Sequence, residues 1–469
     1  MSSTTRTPGL FSRHYRLITI GAISLVFVSA FENLAVTTVM PVISAELDGA
    51  ALYAVAFAAP LAVSVLGMVV AGTWADRAGP QTPLYASVAL FVLGLLLAGT
   101  AVTMGAVVAG RLVHGLGGGA MTVALYVVVA RVYPPLLQPR IFGMFAAAWV
   151  IPALVGPFIA GVLGQTVGWR WVFLGVAVLT VFAAVMVVPA MRSMRAPDDA
   201  PRPAWSAPRI LWSLLLAVAI LGLSLSTELD GAAVFVMGGA ALVVALVALR
   251  PLVPRRTLLG ARGLPTVVLL RMLLAGGYFS AEVYLPYFLT GGFGLSPALA
   301  GLALTVAGVA WGASSWLQGQ FSDRLTTRTS LRIGTVLVCA AVSVVLATAL
   351  LGLPASVAIA GWAVSGAGMG LCYPRLSVLV LEYSAPGNQG FNSAALNIAD
   401  AAGPAMALSL AGILFQAVAG PGAAATAGGA GAFAAVFALG LLFTLGALAL
   451  SGRTGTAKAA TAEAATASR

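Results

Sequence analysis

Runs of about 20 apolar residues, nearly free of charge, follow one another along this chain, and no other feature constrains the fold as strongly. At 1.5 Å per residue, such a run is what an α-helix needs to cross the hydrocarbon core of a bilayer. Divided at their turn signals, the runs number fourteen: six in residues 17–191, two in 210–249 and six in 264–451. Polar segments fill the remainder, at residues 1–16, 192–209, 250–263 and 452–469. Of the 469 residues, 60% are hydrophobic and 8% charged, against roughly a quarter charged in a soluble domain. No water-soluble fold hides so much apolar surface. A soluble enzyme, a disordered chain and a nucleic-acid binder are therefore excluded, and the chain reads as an all-α polytopic membrane protein.

The placement of arginine explains the net charge of +11 without any nucleic acid. With the N-terminus in the cytoplasm, 20 of the 24 basic residues fall in cytoplasmic segments; Arg111, Arg271 and Arg375 lie within spans and Arg170 in an outer loop. Outer loops carry Glu46, Asp48, Glu228 and Asp230 instead. Such asymmetry follows the positive-inside rule and predicts that both termini of this multi-pass protein are cytoplasmic. Arg6, Arg13 and Arg16 precede a first run too long for a signal-peptide core, so no cleaved leader is expected. The Ala/Thr-rich tail is expected to be disordered.

What is missing narrows the chemistry. The histidines are His14 and His114, the cysteines Cys339 and Cys372, and neither set can build a zinc or haem site or a disulfide framework. The one lysine, Lys458, sits in the tail, far from any Gly-rich turn of the kind a P-loop needs. No cofactor, metal site or catalytic group is expected, and uphill work must draw on an ion gradient or a partner subunit. A monomer is the expected state.

The two groups of six repeat one another. Gly72, Asp76 and Arg77 at the end of span 2 recur as Gly319, Asp323 and Arg324, and Gly156-Pro157 in span 5 recurs as Gly403-Pro404, all 247 residues later. Gly115, Gly117 and Gly119 of span 4 recur as Gly366, Gly368 and Gly370 after 251 residues, and Glu32 recurs as Glu282 after 250. Offsets that agree within four residues predict two pseudo-repeated six-helix bundles with two extra transmembrane helices inserted between them. Secondary transporters use this architecture, with the substrate site at the interface of the repeats near the midplane.

Five motifs carry a closer likeness: Gly72-x-x-Ala75-Asp76-Arg77-x-Gly79 between spans 2 and 3, Arg111-Leu-Val-His-Gly115-Leu-Gly117 in span 4, Gly156-Pro157-x-x-Ala160-Gly161 in span 5, Glu32 nine residues before Pro41, and Trp169-Arg170-Trp171 before span 6. Together they resemble the signatures of the major facilitator superfamily (MFS), in its drug:proton antiporter branch with 14 transmembrane spans. The resemblance covers almost the whole chain. It implies an MFS fold in a bacterial cell membrane and proton-coupled multidrug efflux by alternating access, hence antibiotic resistance. It also implies gating by Asp76 and Arg77 at a cytoplasmic helix end, mirrored by Asp323 and Arg324, and proton transfer or charge pairing for Arg111. Pro80-Gln81 stands where the family carries two basic residues, and Glu32 stands for its usual aspartate.

Intramembrane acids cost roughly 2.5 kcal/mol or more to insert and are functional candidates by default. Glu32 lies about 22 Å into its span, Asp400 about 15 Å and Glu282 about 27 Å. Burial disfavours the charged carboxylate, so such a group takes a proton when dry and releases it when a cavity opens to water. Glu32 ranks first for proton or substrate coupling, selected by both motif and repeat. Glu282, set among Tyr278, Phe279 and Tyr284, and Asp400, one turn before Gly403, assist; packing or an arginine partner are the plainer roles for these acids. Arg111 modulates the site or forms an ion pair; His114 is expected to be a packed polar residue, and Arg271 and Arg375 to snorkel. Gly115 and Gly119 are expected to let helices approach, and Gly156-Pro157 and Gly403-Pro404 to bend them.

These residues predict a proton-coupled exporter of small hydrophobic molecules, cations among them. The alternatives are a dedicated exporter of one metabolite, siderophore or lipid, and, more weakly, a non-transporting receptor or assembly partner. A channel is disfavoured because no ring of like charges appears. The partners are then a small-molecule substrate, protons and the lipid bilayer.

Overall fold

In lipid, a helix satisfies its backbone polar groups within its own segment, and every long element among the described residues is helical. The computed structural model describes residues 10–13, 15–134, 137–191, 207–229, 231–320, 325–384, 389–420 and 429–455. Among the described residues, 14 helical stretches are long and apolar enough to cross a membrane. The first half contains α1 (Arg16–Glu46), α2 (Tyr53–Ala78), α3 (Gln81–Gly99), α4 (Met104–Val132), α5 (Gln138–Ala147), α6 (Val150–Leu163) and α7 (Arg170–Met191). The inserted pair is α8 (Ala207–Leu225) and α9 (Ala232–Leu249). The second half contains α10 (Leu264–Phe293), α11 (Pro297–Gln320), α12 (Thr327–Leu351), α13 (Ala355–Glu382), α14 (Gln389–Ala419) and α15 (Gly429–Ser451). His14, Asp230, Asp323, Arg324 and Lys458 lie outside the described residues.

The duplication is visible atom by atom in the glycine contacts. A Cβ on Gly115 or Gly119 would run into the backbone of Pro60 or Ser64 on α2, and one on Gly117 into Phe91 and Ser87 on α3. In the second half, Gly366 and Gly370 sit in the same way against Ala307 and Trp311 on α11, and Gly368 against Gly334 and Val338 on α12. Ala307, Trp311, Gly334 and Val338 stand 247 residues after Pro60, Ser64, Ser87 and Phe91. The two bundles therefore share one interlock, in which the fourth helix wedges between the second and third through bare backbone.

The helical ladder of the fifth span is loosened at Ala148-Trp149, between α5 and α6, and α6 carries Gly156-Pro157 within it. Pro152 accounts for it: it has no N–H to offer the carbonyl of Ala148 four residues back, and its ring crowds that carbonyl. α6 then ends in a π-turn, Gly164–Gly168. Gly156 meets only the edge of Phe31, whereas Gly403, its repeat mate, is pressed against the backbone of Met272 on α10. The Gly-Pro pairs thus sit in different surroundings in the two halves.

Two seams join the halves: α6 packs on α11 and α2 packs on α14. α8 lies along the second seam. Its Leu216, Ala219 and Ile220 share one apolar cluster with Ala62 and Val65 of α2 and with Ala399, Ala402 and Ala405 of α14.

Candidate functional site

Three helices of the first half bring a charge cluster together. Glu32 on α1 is 0% exposed, Arg111 and His114 on α4 are 4% and 5% exposed. Arg111 donates from Nη1 to Glu32 Oε1 and from Nε to the carbonyl of Ala56 on α2, the latter at 3.0 Å. His114, one turn along, places Nε2 3.2 Å from the other oxygen, Oε2. The ion pair open to Arg111 in the sequence is therefore present, and His114 belongs to the same cluster. Nearer the end where α1 passes into α2, Trp169 and Arg170 both donate to Glu46, each at 2.8 Å.

The second half holds a different pair. Arg271 on α10 makes a two-pronged bond to Asp400 on α14, at 2.7 Å and 2.9 Å. Tyr373 on α13 donates its hydroxyl to the same carboxylate at 2.9 Å, and its ring lies 3.3 Å below the guanidinium. Arg271 does not snorkel, because a fixed carboxylate within reach holds it better than a distant interface. Arg375 donates to the carbonyl of Leu325 at 3.1 Å.

Glu282 on α10 is 6% exposed, and among the described residues no arginine or histidine comes within ion-pair distance of it. Tyr278 stands one turn back from it on the same helix. The repeat explains the difference from Glu32. The positions 251 residues after Arg111 and His114 are Trp362 and Ser365. Trp362 is fully buried and stacks on Tyr278 at 5.0 Å, while Trp311 meets Tyr278 edge-on at 5.6 Å and Tyr373 at 4.9 Å. Where the first half surrounds its carboxyl with cations, the second surrounds the matching one with neutral rings.

The remaining sequence candidates are separate from these clusters. Asp76 is exposed near the end of α2, and Arg131 donates to the neighbouring carbonyl of Ala75 at 3.2 Å. Arg77 is half-buried beside it, while the mirrored pair Asp323 and Arg324 is outside the described residues. Among the described residues, no group of three metal-binding side chains occurs.

One feature escaped the sequence reading altogether. Tyr53, at the start of α2, stacks on Tyr287 at 4.4 Å and donates to the carbonyl of Val283 at 2.9 Å, crossing between the halves. Tyr284, Phe415 and Phe433 pack around it, closing the α1–α2 end of the interface with aromatic rings. The only advance signal was the crowding of Tyr284, Tyr287 and Phe288 on one helix.

The profile of the Major Facilitator Superfamily matches residues 22–351. The chain belongs to this superfamily. Across 91% of its length this MFS protein is 25% identical to a probable multidrug-efflux transporter of Mycobacterium tuberculosis, covering 92% of that protein. It is 31% identical over 33% of its length to an uncharacterized transporter of Schizosaccharomyces pombe, spanning only 26% of that longer chain. A POT family transporter crystallised with 5-aminolevulinic acid superposes with a TM-score of 0.66 at 14% identity, covering 93% of this chain and 97% of the other. The last likeness speaks for the fold. Fourteen spans and efflux-type relatives fit a 14-span member of this superfamily.

Proposed function

We propose that the protein is a proton-coupled antiporter that exports small hydrophobic compounds, cations among them, from the cytoplasm by alternating access, with Glu282 exchanging the coupling proton. One observation carries this reading: of the three intramembrane acids, Glu282 alone is buried with no cationic partner among the described residues. An ionised carboxylate in such a place is far costlier than a neutral one. The closed site therefore favours the protonated form, and a site open to water favours the ionised form. Protonation and conformation are then linked through the same group. Glu32 and Asp400 cannot do this as readily, since protonating either strands an arginine. They are assigned instead to holding Arg111 and Arg271.

The aromatic closure around Tyr53 supports a form open on the opposite side, which is the cytoplasmic one if both termini are cytoplasmic as the arginine distribution predicts. Asp76 and Arg77 sit at the opposite end of α2 from Tyr53 and are assigned to the gate there.

Reconstitution into liposomes with an imposed pH gradient tests the reading. Glu282→Gln is expected to abolish gradient-driven dye efflux while retaining exchange at equal pH. Full gradient-driven efflux in that variant would refute it. Competition among unrelated dyes separates broad efflux from export of one endogenous compound.

A further inference from the structure

The connection between α9 and α10 carries a charge pattern that the transport scheme leaves unused. Residues 250–263 hold Arg250, Arg255, Arg256 and Arg262 and no acid. The segment is folded against the helix ends rather than trailing into water. Leu252 and Val253 are 2% and 4% exposed and share the apolar cluster of α8 and α14. A 3₁₀ turn, Thr257–Leu259, follows. The Thr257 amide donates to the Pro254 carbonyl at 3.2 Å and that of Gly260 to Thr257 at 2.9 Å, while Thr266 Oγ1 in the first turn of α10 donates to the Ala261 carbonyl at 2.7 Å. The Gly263 amide donates to the carbonyl of Arg453, just past α15, at 3.3 Å. Nη2 of Arg332 on α12 reaches the same corner, 3.2 Å from where a Cβ on Gly452 would stand. We propose that this corner binds the headgroup of an anionic phospholipid.

The argument rests on charge, on fixed placement and on one apolar side chain. All six arginines are exposed, and among the described residues none of them is ion-paired. Like charges held together repel, and an anion that bridges them removes the repulsion. Guanidinium groups match the oxygens of a phosphate in two-pronged bonds, which a lysine cannot reproduce. An unstructured basic stretch would meet the same anions only diffusely. Here the backbone is fixed, with Arg256 held at φ +64° by the turn that separates it from Gly260.

Leu259 selects the source of the phosphate. It is 80% exposed at the end of the 3₁₀ turn, while its neighbour Leu258 packs inward on the apolar cluster. A free anion has no use for an apolar side chain beside the arginines. A lipid does, because its acyl chains begin where its headgroup ends, and a leucine at that depth lies among them. The segment also sits at the right level, since it links the ends of two spanning helices, on the face that carries both termini in a chain of 14 spans. The arginine distribution predicts that face to be cytoplasmic, where anionic lipids attract basic segments next to spanning helices. The site stands apart from the antiport reading and does not depend on it.

Titration of the purified full-length protein in detergent micelles tests the proposal, with native mass spectrometry counting the lipid retained per chain. Phosphatidylglycerol should half-saturate well below the concentration needed for phosphatidylcholine of the same acyl chains. Arg255→Gln combined with Arg256→Gln should raise its half-saturation by about tenfold or more, since each arginine beside an anionic headgroup contributes a factor of about five. Retention of phosphatidylcholine should not change, which shows that the variant is folded. Leu259→Gln keeps every charge and should also weaken retention. Arg13→Gln combined with Arg16→Gln removes two exposed arginines from the same face and should leave phosphatidylglycerol binding within about twofold of the parent. Equal losses in the two double variants would mean that the attraction is a diffuse property of the basic face, and would overturn the proposal. Equal retention of both lipids by the parent would do the same. Displacement of the lipid by an equal concentration of inorganic phosphate would reveal a free-anion site and overturn the lipid assignment.

Discussion

Replacing Glu32 by Gln isolates the energetic role of the buried pair. The substitution keeps the side chain's size and an acceptor oxygen but removes the counter-charge of Arg111, whose other bond is the 3.0 Å one to the Ala56 carbonyl. Both groups are almost fully shielded, at 0% and 4% exposure, so solvent offers little relief. Breaking such a pair by deleting one partner costs about 3–5 kcal/mol. At roughly 2 °C per kcal/mol, the low end of the range for large domains, the melting temperature should fall by about 6–10 °C. Glu32→Gln combined with Arg111→Gln removes both charges and should regain most of that loss, since replacing a whole buried pair is often neutral. Glu282→Gln should melt no lower than the unmodified protein, because no arginine depends on that carboxyl. Thermal unfolding in detergent, followed by tryptophan emission, reads all three. A Glu32→Gln protein that melts within about 2 °C of the parent, or a double variant no better than the single, would refute the assignment of Glu32 as a counter-ion.

Three further outcomes follow from the same geometry. Asp400→Asn should cost about 1–2 kcal/mol, less than Glu32→Gln, because the Asp400 side chain is 28% exposed and water partly replaces it; the same melting assay compares them. Gly366→Ala drives a methyl into the Ala307 backbone and should destabilise by about 1–3 kcal/mol, whereas Gly118→Ala meets only the Phe91 ring at 3.5 Å and should be neutral or stabilising. Tyr53→Ala removes the ring stacked on Tyr287 and should raise hydrogen–deuterium exchange across residues 283–289, while Tyr53→Phe, losing one hydrogen bond, should change it little.

The span count and the duplication were legible because each is a one-dimensional property. Hydrophobic length reports a helix that crosses lipid, and a constant offset reports a copied bundle. The glycine interlock shows why the offsets survived: Gly115 and Gly366 face backbone, where any larger side chain must displace a helix. Which acids carry charge was not legible in the same way. Glu32 and Glu282 look equivalent along the chain, and their difference comes from what other helices bring to them, Arg111 and His114 on α4 against Trp362 and Ser365 on α13. That contrast was written in the repeat, and aligning the fourth helices residue by residue would have exposed it. The loosened turn before α6 was also legible, at Pro152, whose missing N–H costs the helix one bond. The closure around Tyr53 was not, since it depends on rings from α2, α10, α14 and α15 meeting in space.

The inserted helices bear on how the halves can move. If the bundles rock as proposed, α8 can travel with only one of them, for it touches both α2 and α14. Its contacts with the two sides differ in kind. Towards α2 it presents apolar surface against Ala62 and Val65, which can slide. Towards α14 it has fixed ties at both ends: Arg209 lies 5.2 Å over the Phe391 ring, and Ser224 and Ser409 share a buried hydrogen bond. α8 and α9 should therefore move with the second half and shear against the first. Because the two serine oxygens touch, their Cβ atoms are close enough for a disulfide, which spans about 3.5–4.5 Å. In the Ser224→Cys/Ser409→Cys protein, oxidation should form the cross-link and leave gradient-driven efflux within about twofold of the reduced sample, a change of roughly 0.4 kcal/mol in the barrier. A cross-link that forms and halts transport would show that α8 must slide on α14, and would place the inserted pair with the first half instead.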